Sequence, residues 1–139
     1  MRISLIISTY NRPDYLSLVL TSVASQIEKP WEVIIADDGS SADTTRLISY
    51  WMNRSTLKLI HMFQPDKGFR LSRSRNLSAA KASGDLLVFI DGDCLLPRDF
   101  LVELNSLYRP GSLIFGSRKL ISESETDSAL SKCIGDDAI

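Results

Sequence analysis

Three apolar runs in this sequence each end in a polar cluster, and that repeated pattern limits the fold more than any other feature. Ile3-Ser4-Leu5-Ile6-Ile7-Ser8 leads into Thr9-Tyr10-Asn11-Arg12. Trp31-Glu32-Val33-Ile34-Ile35-Ala36 leads into Asp37-Asp38-Gly39-Ser40, and Leu86-Leu87-Val88-Phe89-Ile90 leads into Asp91-Gly92-Asp93. Short apolar runs bounded by turn residues read as strands buried on both faces.

Helical patterns lie between the runs. Pro13 suits the first turn of a helix, where its missing N–H costs nothing. Leu16, Val19, Leu20, Val23 and Ile27 then recur at helical spacing, and Pro30 ends the segment. Ser41 can cap a second helix, with Asp43 in its first turn and Leu47, Ile48 and Trp51 on its buried face. Residues 57–63 read as a third strand. The loop 64–71 contains Pro65 and Gly68. A small-residue helix over about 72–82 follows, with Ala79, Ala80 and Ala82 against a sheet and Gly84 at its end. Pro97 opens another helix, with Phe100, Leu101, Leu104 and Leu107 inward, and Pro110-Gly111 breaks it. Residues 112–116 read as a last strand. Beyond Ile121 the apolar signal fades, 122–131 is polar, and Gly135-Asp136-Asp137 reads as frayed.

Strands alternating with helices imply a doubly wound α/β sandwich with a mainly parallel sheet. Right-handed crossovers put all parallel strand ends on one side, so the three polar clusters are expected to converge on one edge. One domain over 1–120, with 121–139 a polar tail or the start of a missing further half, is the expected organisation.

Composition removes several function classes. The net charge of −1, with Lys and Arg spread along the chain, argues against a nucleic-acid surface. Cys94 and Cys133 lie far apart with no Cys-x-x-Cys spacing, so neither a zinc site nor a disulfide framework is expected. His61, the single histidine, has no second ligand nearby and reads as a packed core or surface residue. The apolar residues of 3–7 are too few for a signal-peptide core or a membrane span, so a cytoplasmic domain is expected.

Asp91 and Asp93, one residue apart at the carboxyl end of a strand, sit where open α/β sheets bind ligands. Paired carboxylates there suit a hard divalent cation, and such a cation suits a diphosphate. Asp-Gly is also a common turn dipeptide. No Gly-x-Gly-x-x-Gly follows the first strand, and no Gly-x-x-x-x-Gly-Lys-Ser/Thr occurs. Bound phosphates would therefore rely on a metal at Asp93 and a basic residue rather than on a glycine loop.

Ser8-Thr9-Tyr10-Asn11-Arg12-Pro13, Asp37-Asp38-Gly39-Ser40 and Asp91-Gly92-Asp93 together resemble family 2 glycosyltransferases of the GT-A fold. Gly68, Ser74-Arg75-Asn76, Ala79-Ala80, Gly84-Asp85 and Phe89-Ile90-Asp91 extend the resemblance, which covers roughly 3–118. It implies a Rossmann-like GT-A sandwich that binds a nucleotide-sugar donor. Thr9, Tyr10 and Arg12 resemble the loop that holds the base, and Asp38 the carboxylate that accepts from the base N–H. Arg75 resembles the basic residue near the nucleotide, Asp91 the carboxylate near ribose and metal, and Asp93 the metal ligand. The implied cofactor is Mn2+ or Mg2+. The implied reaction moves a sugar, with inversion, from a UDP-sugar (or a dTDP- or GDP-sugar) to a saccharide, lipid or protein hydroxyl.

Other roles stay open at this point. Tyr10 can be packing, Arg12 a solvated helix-start residue, and Asp37 a turn cap. Arg70 and Arg73 are surface charges or diphosphate neighbours, Lys67 and Arg118 can face the substrate, and Cys94 reads as a small buried side chain. In the family the catalytic base lies well after the metal motif, in the acceptor-binding half. That half is expected to be absent here, and Asp136 and Asp137 are poor candidates for the base. Self-association or association with the inner face of a membrane is compatible with this reading. Two alternatives accompany it. One is a non-catalytic nucleotide-binding module of the same fold. The other is an aspartyl-phosphate phosphatase using Asp91, because Val88-Phe89-Ile90-Asp91-Gly92-Asp93 also resembles the first motif of haloacid-dehalogenase-like phosphatases.

Overall fold

A computed structural model describes residues 1–136, with side chains through Lys132. The chain runs β1 (Ile3–Thr9), α1 (Pro13–Ala24), β2 (Glu32–Asp37), α2 (Ala42–Arg54), β3 (Leu59–Phe63), α3 (Leu71–Lys81), β4 (Leu86–Asp91), α4 (Phe100–Leu107) and α5 (Glu123–Asp136). The four strands form one parallel sheet in the order β3-β2-β1-β4. Because the chain moves outward through β2 and β3 and then returns to the far side of β1, the order reverses between β1 and β4. A crevice at the carboxyl ends of those two strands is the expected ligand position in such a sheet.

Alternation along the strands divides the core. Leu5, Ile7, Val33 and Ile35 point to the face covered by Leu16, Val19, Leu20 and Val23 of α1 and Leu47 and Ile48 of α2. Ile6, Ile34 and Ala36 point to the other face, where Ala79 and Ala82 pack. This two-sided cover explains why β1 and β2 are buried at every position.

β4 is different. The sequence reads it as buried on both faces, yet Leu87 and Phe89 are exposed, because α3 lies over β1, β2 and β3 rather than over this edge strand. The strand expected at 112–116 does not form. Leu113 and Phe115 are largely exposed, and no strand among the described residues pairs with them. α1 ends at Ala24 and leaves Ile27 exposed. Ser22 and Ser25 there bond back to the carbonyls of Val19 and Ser22, so side chains compete for the helix's acceptors. Only Leu101 of α4 is fully buried, and Leu107 faces solvent. α3 ends at Lys81 rather than at Gly84, Ala80 is exposed, and Ser41 precedes α2 without a side-chain capping bond.

The polar stretch after Ile121 is helical rather than loose. The Glu125 N–H donates to Ser122 Oγ, and the Ser122 N–H donates to Glu125 Oε2, a reciprocal capping box. α5 packs against α1. Asp137 and the side chains of Cys133, Gly135 and Asp136 lie outside the described residues. Among the described residues no helix is long and apolar enough to cross a membrane.

Glu32 pins the amino ends of the sheet. Its buried carboxylate accepts from Ser4 Oγ (2.7 Å), the Ser83 N–H (2.6 Å) and Lys58 Nζ (3.1 Å). Burial alone would raise its pKa, but the bonds from Ser83, Ser4 and Lys58 outweigh that and hold it at about 2. A depressed carboxylate stabilises the fold above its unfolded pKa, and the contribution disappears as pH falls from 4.5 toward about 2. Thermal melts of Glu32→Gln should therefore show a loss of about 2 kcal/mol at neutral pH, from donors left without their anion. They should also show a weaker acid dependence than wild type across that window.

Candidate functional site

The carboxyl edge is assembled by register. Ser8 pairs with Asp91 across β1 and β4, and Thr9 pairs with Asp37 across β1 and β2. Gly92 then lies so close to β1 that a Cβ on it would come 2.6 Å from the Ser8 carbonyl oxygen. A side chain would push the turn that carries Asp91 and Asp93 away from the sheet.

Between these strands lies an open cleft of about 380 Å³. Thr9, Tyr10, Arg12, Asp38, Asp91 and Asp93 all line it, so the polar clusters of three separate loops meet. Arg75 stands behind the lining: its Nε donates to Ser8 Oγ (2.9 Å) and its Nη2 to Asp91 Oδ1 (2.5 Å). Arg118 Nη1 lies 3.4 Å from the other oxygen of Asp91. Asp91 is thus held between two guanidiniums.

The loops are tied to one another. The Asp38 N–H donates to the Thr9 carbonyl, the Asn11 N–H to Ser40 Oγ, and the Ser41 N–H to Asn11 Oδ1. Asp37 points away from the cleft and is fully buried. It accepts from the Ser40 N–H (2.8 Å) and pairs with His61 Nε2 (2.8 Å). Burial alone would raise its pKa, and the bonds from His61 and Ser40 outweigh that and lower it. Asp37 and His61 therefore shape the turn rather than the cleft.

Asp38 is nearly buried, and its carboxylate accepts from Gln64 Nε2 (2.5 Å) on one oxygen and from the Arg70 N–H (2.8 Å) on the other. A carboxylate has about four acceptor positions, so it keeps capacity for a further donor from the cleft. Arg12 is exposed, bonded to Asp14 and stacked 3.8 Å over the Tyr15 ring. Arg70 and Arg73 do not line the cleft; their guanidiniums bond the Pro65 carbonyl and Gln64 Oε1. Lys67 is exposed on the same loop.

Asp91, Asp93 and Cys94 bring one potential ligand atom each within 4.8 Å of one another. Their chemistry is unequal. Both oxygens of Asp91 are engaged by arginines, and the Cys94 thiol, its pKa raised by burial, donates to Asp93 Oδ1 (3.6 Å). Asp93 is exposed and carries the open carboxylate. That donor set suits a hard, oxygen-seeking cation that takes most of its ligands from elsewhere.

Ser8, Tyr15, Gln64, Asp66, Phe69 and Leu71 also shape the cleft or its walls and were not among the residues expected from the sequence. Loop 64–70 follows β3, and in a parallel sheet every loop after a strand reaches the same edge. That rule would have placed it here.

The family described as "Glycosyl transferase family 2" matches residues 4–134. Over 130 residues the chain is 32% identical to hyaluronan synthase from Pasteurella multocida, covering 90% of this chain and 13% of that protein. It is 37% identical over 91 residues to validoxylamine A glucosyltransferase from Streptomyces hygroscopicus subsp. limoneus, covering 64% of this chain and 20% of that one. Among solved structures, TarS 1-349 of S. aureus in complex with UDP-GlcNAc matches with a TM-score of 0.66 at 27% identity, over 76% of this chain and 30% of TarS. Mannosyltransferase PcManGT from Pyrobaculum calidifontis, in complex with GDP-Man and Mn2+, gives 0.65 at 26% identity, over 78% and 33%. The chain thus spans a third or less of each of these relatives.

The Gly92 contact can be tested directly. Gly92→Ala should lower the melting temperature by about 5 °C, roughly 1 kcal/mol for a domain of this size. Gly116→Ala, where nothing lies within 4 Å of the added Cβ, should leave it unchanged.

Proposed function

Because this chain belongs to glycosyl transferase family 2, we propose that it forms the donor-binding part of a glycosyltransferase and holds a nucleoside-diphosphate sugar, with UDP as the proposed carrier, in the β1/β4 cleft. The observation that carries this reading is the meeting of Tyr10, Asp38, Asp91 and Asp93 in one cleft with Arg75 behind them. Each group has a task that its surroundings suit. Tyr10 offers a half-exposed ring to a planar base, and Asp38 has acceptor capacity for the base N–H. Arg75 fixes the Asp91 carboxylate toward the ribose side of the cleft, so the sugar hydroxyls meet a preoriented acceptor.

Asp93, with Asp91 beside it, would hold Mn2+ or Mg2+. When bound, such an ion acts as a Lewis acid that offsets the charge of a departing diphosphate. The reaction proposed is an inverting displacement. The acceptor oxygen bonds to the anomeric carbon, the bond from that carbon to the diphosphate oxygen breaks, and the acceptor proton passes to a base. Among the described residues, the carboxylates lining the cleft are Asp38, Asp91 and Asp93. Asp38 and Asp91 are held by donors and Asp93 is assigned to the cation, so the proton goes to a group outside this set. A module that binds the donor without turnover is the second reading, and that lack of a spare base favours it for this stretch alone. Nothing favours a phosphoaspartate at Asp91, since both of its oxygens are bonded to guanidiniums.

Thermal shifts with UDP, GDP and dTDP, each with and without Mn2+, test the donor site. Ligand at about 100 times its dissociation constant should stabilise the fold by about 2.7 kcal/mol. The stabilisation should depend on Mn2+ and be lost in Asp93→Ala. A folded protein that responds to none of the three nucleotides contradicts the proposal.

A further inference from the structure

Phe69 is a large apolar side chain left 89% exposed, and it lines the same cleft as Tyr10. A single exposed apolar residue needs no explanation by itself. The loop that carries this one is not loose, however. Gln64 Nε2 donates to Asp38 and to the Arg70 carbonyl, the Arg70 N–H donates to Asp38, and the Arg70 guanidinium returns to the Pro65 carbonyl. Gly68, at φ +81°, makes the turn immediately before the ring. Phe69 is therefore held out over the cleft by a braced backbone.

Asp66 joins this loop to Tyr10. One oxygen accepts from the Tyr10 hydroxyl (2.8 Å) and the other from the Gly68 N–H (3.1 Å). The turn at Gly39 packs so tightly on Asp66 that a Cβ there would come 2.5 Å from its backbone. Tyr10, Asp66 and the Gly68-Phe69 turn are thus one mechanically linked unit beside Asp38, away from the cation end at Asp93.

We propose that Phe69 is a second aromatic surface for the nucleobase, paired with Tyr10, and that Asp66 is the positioning residue that sets the two rings relative to each other. This rests on the donor-binding reading above. A planar heterocycle fits such a pair because every base presents a π face, and stacking tolerates a change of base. The hydrogen-bonding selectivity then falls to Asp38, while the two aromatics supply affinity. Asp66 makes no demand on the ligand itself. It removes the freedom of Tyr10 and of the turn before a base arrives.

The test measures binding of UDP with Mn2+ and, in parallel, of inorganic pyrophosphate with Mn2+, which has no base. Phe69→Ala should weaken UDP binding roughly 5- to 150-fold, the range for loss of one base–aromatic stack. It should leave pyrophosphate binding within about twofold, and Phe69→Trp should restore UDP binding. Asp66→Ala and Tyr10→Phe should each weaken UDP alone, and the double variant should be no weaker than the worse single one, as expected for two ends of one bond. Phe69 is exposed, so its replacement leaves the fold intact, which circular dichroism verifies. UDP binding unchanged in Phe69→Ala, or UDP and pyrophosphate weakened equally, overturns the role of Phe69 while leaving the donor site standing. Additive losses in the Asp66→Ala/Tyr10→Phe double variant overturn the coupling. A wild-type protein that binds none of UDP, GDP and dTDP overturns the donor reading and this inference with it.

Discussion

Arg75 reaches across the seam between β1 and β4, donating to Ser8 on one strand and to Asp91 on the other. The seam is the point where the strand order reverses, and the cleft lies at the carboxyl ends of its two strands. Two features keep it closed at the base and open at the top. Gly92 lets the β4 turn lie against the Ser8 carbonyl, and Arg75 ties the two strands at their last paired residues. The cleft residues depend on this geometry, since Tyr10 leaves from one side of the seam and Asp93 from the other.

The carboxylates on this edge divide their labour according to what already holds them. Asp37 is buried and spends both oxygens on the turn and on His61. Asp38 braces the loop after β3 and still faces the cleft. Asp91 is clamped by two guanidiniums, which fixes it in place. Of these four, Asp93 is the exposed one, and among the described residues it is uncommitted to a cation of the protein's own. The proposed donor site calls for that division: one open group for a cation that exchanges with solvent, and the others immobile to orient a sugar nucleotide.

The convergence of Thr9, Tyr10, Asp38, Asp91 and Asp93 was legible in the sequence because it follows from strand–helix alternation and crossover handedness, both local signals. The misreadings had non-local causes. Residues 112–116 have the composition of a strand, but a strand exists only where a neighbour pairs with it, and composition does not report the neighbour. Leu87 and Phe89 look like core for the same reason: the run is apolar, while the helix that could cover that face lies over the next strands. α5 was missed despite a local signal, since Ser122-Glu123-Ser124-Glu125 is a capping box and the polar composition around it masked the pattern. Asp66 stayed hidden because its bond to Tyr10 spans 56 positions of sequence, and Phe69 because an apolar residue in a loop does not report its own exposure.

The central claim is that a nucleoside diphosphate sits at the β1/β4 seam, with its base at the Tyr10–Asp38 end and its phosphates at the Asp93 end. Amide chemical-shift mapping of the labelled protein titrated with UDP and Mg2+ tests it most directly. The account predicts perturbations at the amides of 9–12, 38–39, 68–71 and 91–94, with UMP reaching the first three groups and leaving 91–94 weakly affected. Perturbations centred on the amino edge around Glu32 and Ser83, or spread without focus over the surface, would contradict it.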